Sequence, residues 1–157
     1  MSGFTVRPCL PEDRDPVLAL AQRLTEGVAP WRDPDAVAAA VLGWVTTSLE
    51  HTDDDHGTFV AVREGHVAGF VTVTTRTHFT GQRDAYVGEL VVSPDAERTG
   101  VGSALVGAAE SWARARGLRH MTLETGAANL RARAFYRALG FTDEDVRLSK
   151  PISAGET

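Results

Sequence analysis

The chain has 157 residues, 43% of them hydrophobic, and its 16 Lys and Arg against 21 Asp and Glu leave a formal net charge of -5. That length supports one domain with a sizeable core, spanning residues 1–157, and is too short for two. Basic residues scattered among acidic ones exclude the Lys/Arg stripe of a nucleic-acid binder and favour a small cationic partner, while one cysteine, Cys9, and no apolar run near a membrane span point to a reducing cytoplasm.

Residues 4–7 form a short β-prone run closed by Pro8 and Pro11. Helical spacing of Val17, Leu18, Leu20, Ala21 and Leu24 predicts a helix over 12–26, followed by the breaker cluster GVAPWRDP. A second helix is expected over 35–49, with Asp33 as N-cap and Pro34 at the first helical position. The polar loop 51–57 holds two histidines beside Asp53, Asp54 and Asp55, and reads as a solvated connection with no metal. A hairpin follows, 58–62 and 66–77, turning at Gly65, and a further reversal at Gly81 leads into a strand over 86–92. Beyond a helix from Val101 comes a strand over 118–125, which a crossover connection makes parallel to 86–92. A last helix over 130–139 starts after Asn129 and stops at Gly140, and the tail 141–152 is expected to add one or two closing strands, with 153–157 frayed. The result is an α/β (α+β) fold with a mixed, mostly antiparallel sheet and helices on both faces.

The stretch 91–117 carries the first chemical signal. Gly100 and Gly102 leave no side chain over the start of an amphipathic helix, so unpaired backbone N–H groups at the positive end of its dipole form an anion cradle. The third glycine of the Rossmann fingerprint is replaced by Leu105, and no lysine follows Gly102 as a Walker loop requires. A dinucleotide domain would also need a second βαβ half that the chain lacks.

The second signal is N-x-x-A-x-x-F-Y from Asn129 to Tyr136, followed by Gly140 and Phe141. With L-V-V-S-P and the x-x-G-x-G-S-A-L helix start, it resembles the GNAT superfamily of acetyl-CoA-dependent N-acetyltransferases, in element order from Phe4 to about Ile152. The resemblance implies a GNAT-like fold whose two parallel strands splay apart to admit the cofactor's pantetheine arm. It implies that the backbone of Val91 and Val92 pairs with that arm, that the Val92 N–H polarises the thioester carbonyl, and that the pyrophosphate lies on the N–H groups of Arg98, Thr99, Gly100, Val101, Gly102 and Ser103. Glu97 stands where members commonly carry Arg or Gln, which leaves Arg98 to supply positive charge. Tyr136 takes the position of the acid that protonates the departing thiolate, and Asn129 either contacts the cofactor or caps its helix.

Strand alternation places Glu89 on one face with Val87 and Val91, an apolar setting that raises a carboxyl pKa, and the family's frequent glutamate near this position makes Glu89 the candidate base. Glu124 and His120 are the alternatives, and His78 lies in a turn. The implied reaction is direct acetyl transfer from acetyl-CoA to a primary amine of a small molecule or protein, with no covalent intermediate and no role for Cys9. A non-catalytic CoA-binding sensor is the competing function, motivated by Glu97. The acceptor loops, Trp31 among them, do not name the substrate, and the edge strands and tail suit pairing across a homodimer.

Overall fold

The computed structural model describes residues 3–51 and 53–155, so Thr52 of the polar loop and the last two residues of the tail lie outside the described residues. Five strands form one sheet in the order β1-β2-β3-β4-β5: β1 Phe4–Pro8, β2 His56–Arg63, β3 His66–Thr77, β4 Arg83–Val92 and β5 Met121–Leu123. The first four pair antiparallel and β5 runs parallel to β4, as the crossover through helix α3 (Val101–Ala115) requires. The mixed sheet and its helices agree with the architecture that the resemblance implies.

Each face of the sheet has its own core. On one, Ala61, Val71, Val73, Ala85 and Val87 meet Val101, Leu105, Ala109 and Trp112 of α3. On the other, Val60, Phe70 and Val91 meet Val17 and Ala21 of α1 (Arg14–Ala21) and Val41 and Val45 of α2 (Pro34–Glu50). Asp33 caps α2 through its carboxylate, which accepts the Ala36 N–H at 3.1 Å, with Pro34 at the first position. The helix expected over 12–26 is shorter and bounded by two 3-10 turns, Pro11–Asp13 and Gln22–Thr25. Asp13 accounts for the first of these: its carboxylate accepts the Leu10 N–H at 2.7 Å and pairs with Arg7 at 2.6 Å, holding the chain in a tight turn before α1.

Two expectations are corrected. The tail forms no strand among the described residues, and Val146, Leu148 and Ile152 stay exposed despite their alternating placement. Asp143 is drawn to Arg137 at 3.4 Å and Arg133 at 3.9 Å, which keeps the tail's first residues against helix α4 (Leu130–Ala138). The second correction concerns β4. Its register with β3 slips between Thr72 and Val73, so Glu89 faces Thr72, Val87 faces Val73, and Gly88 is the extra residue of a bulge. Val87 thereby turns to the α3 face while Glu89 and Val91 remain on the α1/α2 face.

Candidate active site

β4 and β5 pair only from Ala85 to Val87 against Met121 to Leu123, so β4 runs on to Val92 with no strand among the described residues on that side. The Ser93 N–H donates to the Ala68 carbonyl at 2.8 Å, toward β3, and peptide alternation turns the Val92 N–H and carbonyl into the gap. Val91 is buried under α1 and α2, and its side chain forms a wall behind that edge.

At the end of β4 the chain passes through a 3-10 turn, Pro94–Ala96, into the start of α3. Gly100 sits at φ 89°, a left-handed conformation that an L side chain adopts only with strain, and Arg98 adopts φ 63° without being glycine. The first bond of α3 runs from the Ala104 N–H to the Gly100 carbonyl at 3.0 Å, which leaves the N–H groups of Val101, Gly102 and Ser103 without acceptors in the helix. The reason for Gly102 differs from the one its spacing suggested. A Cβ there would stand 3.0 Å from Cζ of Phe135, so Gly102 is where the α4 aromatic packs against the cradle. The Thr99 hydroxyl donates to the Ala96 carbonyl and stabilises the turn, while the Arg98 side chain is exposed and makes no described ion pair.

Glu97 is turned away from an unshielded role. Its carboxylate accepts from Arg131 at 2.8 Å and Arg23 at 2.7 Å, and these two guanidiniums hold its pKa below the usual range, Arg131 contributing most. Arg23 also donates to the Val92 carbonyl at 2.6 Å, which puts the end of the 3-10 turn after α1 at the mouth of the gap. Arg23 also pairs with Glu26 at 3.5 Å, so the two guanidiniums and two carboxylates of this cluster balance, and the repulsion expected of Glu97 is cancelled locally.

The Asn129 Oδ1 accepts the Ala132 N–H at 3.1 Å, making it the N-cap of α4. Tyr136 lies edge-on to Phe135 and Phe141, with ring centroids 5.3 and 5.6 Å away, and burial pushes its phenol up to about 12. Glu89 is 7% exposed. Its carboxyl pKa is raised by burial, with the Thr72 hydroxyl and then the Ser48 hydroxyl of α2 acting in the opposite direction. Both hydroxyls reach Oε2, and Oε1 makes no described hydrogen bond. Since no buried side-chain oxygen among the described residues lacks a partner, Oε1 keeps contact with solvent.

Compared with known proteins, residues 18–141 match the acetyltransferase (GNAT) family. The chain belongs to this family. It is 38% identical over 145 residues to a mycothiol acetyltransferase of Amycolatopsis mediterranei, covering 89% of this chain and 46% of that one. It is 32% identical over 149 residues to an aminoglycoside N(6')-acetyltransferase type 1 of Stenotrophomonas maltophilia, covering 92% and 90%. Two further curated relatives are matched over about half their length, 46% and 55%. Among solved structures, the aminoglycoside 6'-N-acetyltransferase AAC(6')-IG of Acinetobacter haemolyticus has the same fold, with a TM-score of 0.71 at 21% identity over 95% of this chain and 99% of that one.

Acetyl-CoA is the co-substrate of this acyltransferase family. The cradle N–H groups that lack helical acceptors, a Glu97 whose charge is compensated and the gap beside Val92 suit its pyrophosphate and amide-bearing arm. The other residues singled out in this GNAT chain lie elsewhere. Glu124 is exposed and pairs with Arg76 at 3.4 Å, and the His120 ring nitrogen contacts the Gln82 amide at 3.3 Å. His78 bonds within its own turn to Thr80 at 2.7 Å, and Trp31 is 59% exposed with Arg32 stacked on it. Burial pushes the Cys9 thiol up to about 11, far from a thiolate at neutral pH. His56 bonds to Asp53 at 2.6 Å, and no group of three or more metal-ligating side chains gathers among the described residues. No helix among the described residues is long and apolar enough to cross a membrane.

Sequence reading missed four contributors: Arg23, Ser48, Thr72 and Arg131. Each reaches the site from an element distant in the chain, separated from its partner by 17 to 74 residues. The one signal that could have pointed to the bulge is Gly88, an isolated glycine inside a strand pattern, and the strict alternation drawn over 86–92 passed over it.

Proposed function

We propose that this chain transfers the acetyl group of acetyl-CoA to a primary amine of a small molecule, with Glu89 as base and Tyr136 as acid. The carrying observation is the stretch of β4 from Gly88 to Val92, which has no partner on its β5 side and puts the open Val92 amide and the buried Glu89 carboxyl three residues apart. When bound, acetyl-CoA supplies an activated acetyl group and a thiolate leaving group. The N–H groups of residues 98–103 would hold its phosphates, and Val91 and Val92 would pair with its arm once Arg23 yields the Val92 carbonyl. The Val92 N–H donates to the oxygen that gathers negative charge as the amine adds. Glu89 Oε1 takes the proton released by the amine nitrogen, a task suited to a carboxyl whose burial lifts its pKa toward neutrality. Tyr136 Oη gives its proton to the departing sulfur, and a phenol held near 12 is fully protonated for this at neutral pH.

The acidic groups Glu89 and Glu124 and the net charge of -5 support a cationic acceptor, and the relatives named for aminoglycosides point the same way. The reading without turnover loses its motive once Arg23 and Arg131 neutralise Glu97. Thiol release across a panel of amines tests the proposal, with calorimetry of acetyl-CoA alongside. Binding plus amine-dependent thiol release supports it. A folded sample that binds no acetyl-CoA at millimolar concentration overturns it.

A further inference from the structure

Glu89 is held by the same side chain that repairs the interruption in its strand. The slip between β3 and β4 opens the ladder at Thr72, and a bulge of this kind leaves backbone groups without strand partners. The Thr72 side chain fills the opening: its Oγ1 accepts the Glu89 N–H at 2.9 Å and donates its own proton to Glu89 Oε2. A hydroxyl has one proton and two acceptor positions. Because the Glu89 N–H already occupies it as an acceptor, the single proton is directed to the carboxylate. Gly88 makes the fit possible, since a Cβ there would stand 3.0 Å from Thr72 Oγ1. Thr72 is itself buried, and its β-branched side chain has little rotamer freedom.

We propose that Thr72 is a positioning residue for proton transfer at Glu89: it fixes Oε2, and thereby presents Oε1 as the oxygen that receives the amine proton. This rests on the reading of Glu89 as base. The balance is simple. One N–H bond of the amine breaks and one O–H bond forms at Oε1, while Thr72 keeps its proton throughout. The groups facing the carboxyl are Thr72 from β3, Ser48 from α2 at 3.4 Å, and the Tyr86 phenol of β4, whose ionisation the Glu89 charge opposes. No cation among the described residues pairs with Glu89, so the Thr72 and Ser48 hydroxyls are what favour its charged form.

The experiment compares Thr72→Val, Thr72→Ser and Thr72→Ala in the full chain by carbon NMR of labelled glutamate carboxyls and by the pH profile of kcat/KM. Thr72→Val is expected to move the Glu89 titration and the acidic limb of the profile upward together by about one pH unit, and kcat at neutral pH to fall about tenfold, with the KM for acetyl-CoA within about twofold. Thr72→Ser restores all three, and Thr72→Ala reports the same shift should the valine methyl not fit the bulge. A Thr72→Val or Thr72→Ala protein that folds with titration and limb unmoved overturns the proposal while leaving the base assignment intact. Near-normal turnover in Glu89→Gln overturns the base assignment and the positioning role with it.

Discussion

Three residues along β4 separate two sites built by opposite means. At Glu89 the chemistry is concentrated in one largely buried side chain, fixed by two hydroxyls and dependent on a bulge. From Val92 to Ser103 it is spread over backbone N–H groups without strand or helix acceptors, with side chains serving mainly to shape the turn. A backbone site tolerates replacement of its side chains but not displacement of its path. A buried carboxyl tolerates neither the loss of its oxygen nor the loss of what aims it.

The contrast is put to its hardest test by Glu89→Gln. If the carboxyl is the base, kcat/KM falls by roughly 10²- to 10⁴-fold while calorimetry gives unchanged affinity for CoA. The same substitution is expected to raise Tm at neutral pH. A carboxyl whose pKa is raised on folding adds stability that is complete below its unfolded value and lost as pH rises through the folded one. Glutamine carries no such loss, so the gain over the parent shrinks as the medium is acidified. An unchanged rate, or a gain in Tm independent of pH, would place Glu89 in the same class as the tolerant side chains of the cradle.

Tyr136→Phe ranks next, with about a hundredfold loss of kcat and retention of cofactor binding. The ring packs edge-on with Phe135 and Phe141 in either form, so stability changes little. Because the phenol is held near 12, the parent should show no basic limb from this group below about pH 10. A rate within twofold of the parent would make Tyr136 a packing residue.

The same contrast explains what could be read from the sequence. Elements governed by neighbours in the chain were legible: the Asp33 cap with Pro34, the α3 start at Gly100, the Asn129 cap, and the parallel placement of β5 that a helical crossover dictates. Glu89 and the cradle could be named as candidates, the cradle from its local glycines and Glu89 with the help of the family resemblance. The slip at Thr72/Val73 could not be placed, since it is a property of two strands and reverses every alternation drawn across it, as Val87 shows. Nor could the ties of Glu97 to Arg23 and Arg131, because ion pairs have no periodicity to reveal them. The tail misled for a related reason. Its alternation was present, but Asp143 engages α4 and the apolar positions find no partner.

Gly102→Ala asks whether displacing the backbone matters. The added methyl would meet Phe135 Cζ at 3.0 Å, so the ring of this partly buried residue must give by a few tenths of an ångström. Overpacking costs about 1 to 3 kcal/mol, while alanine in a helix returns about 1 kcal/mol relative to glycine. Stability should therefore fall by no more than about 2 kcal/mol, whereas a shifted amide should weaken CoA binding roughly tenfold, an affinity change of about 1.4 kcal/mol. Affinity that follows the small change in Tm and no more would mean that the cradle yields without penalty.

The smallest effect is expected at Arg98, where a backbone site and a side-chain site make opposite forecasts. Arg98 holds φ 63° without being glycine, at a cost of about 1 to 2 kcal/mol, and its exposed side chain makes no described ion pair. Arg98→Gly removes that strain and returns part of the gain through the greater freedom of glycine in the unfolded chain. A rise in Tm of about 2 °C and a Kd for CoA within about threefold are expected if the backbone amides carry the phosphates. Should affinity drop tenfold or more and lose its salt dependence, the guanidinium of Arg98 would be a phosphate ligand. The cradle would then depend on a specific side chain, as Glu89 does, and the division between the two ends of β4 would not hold.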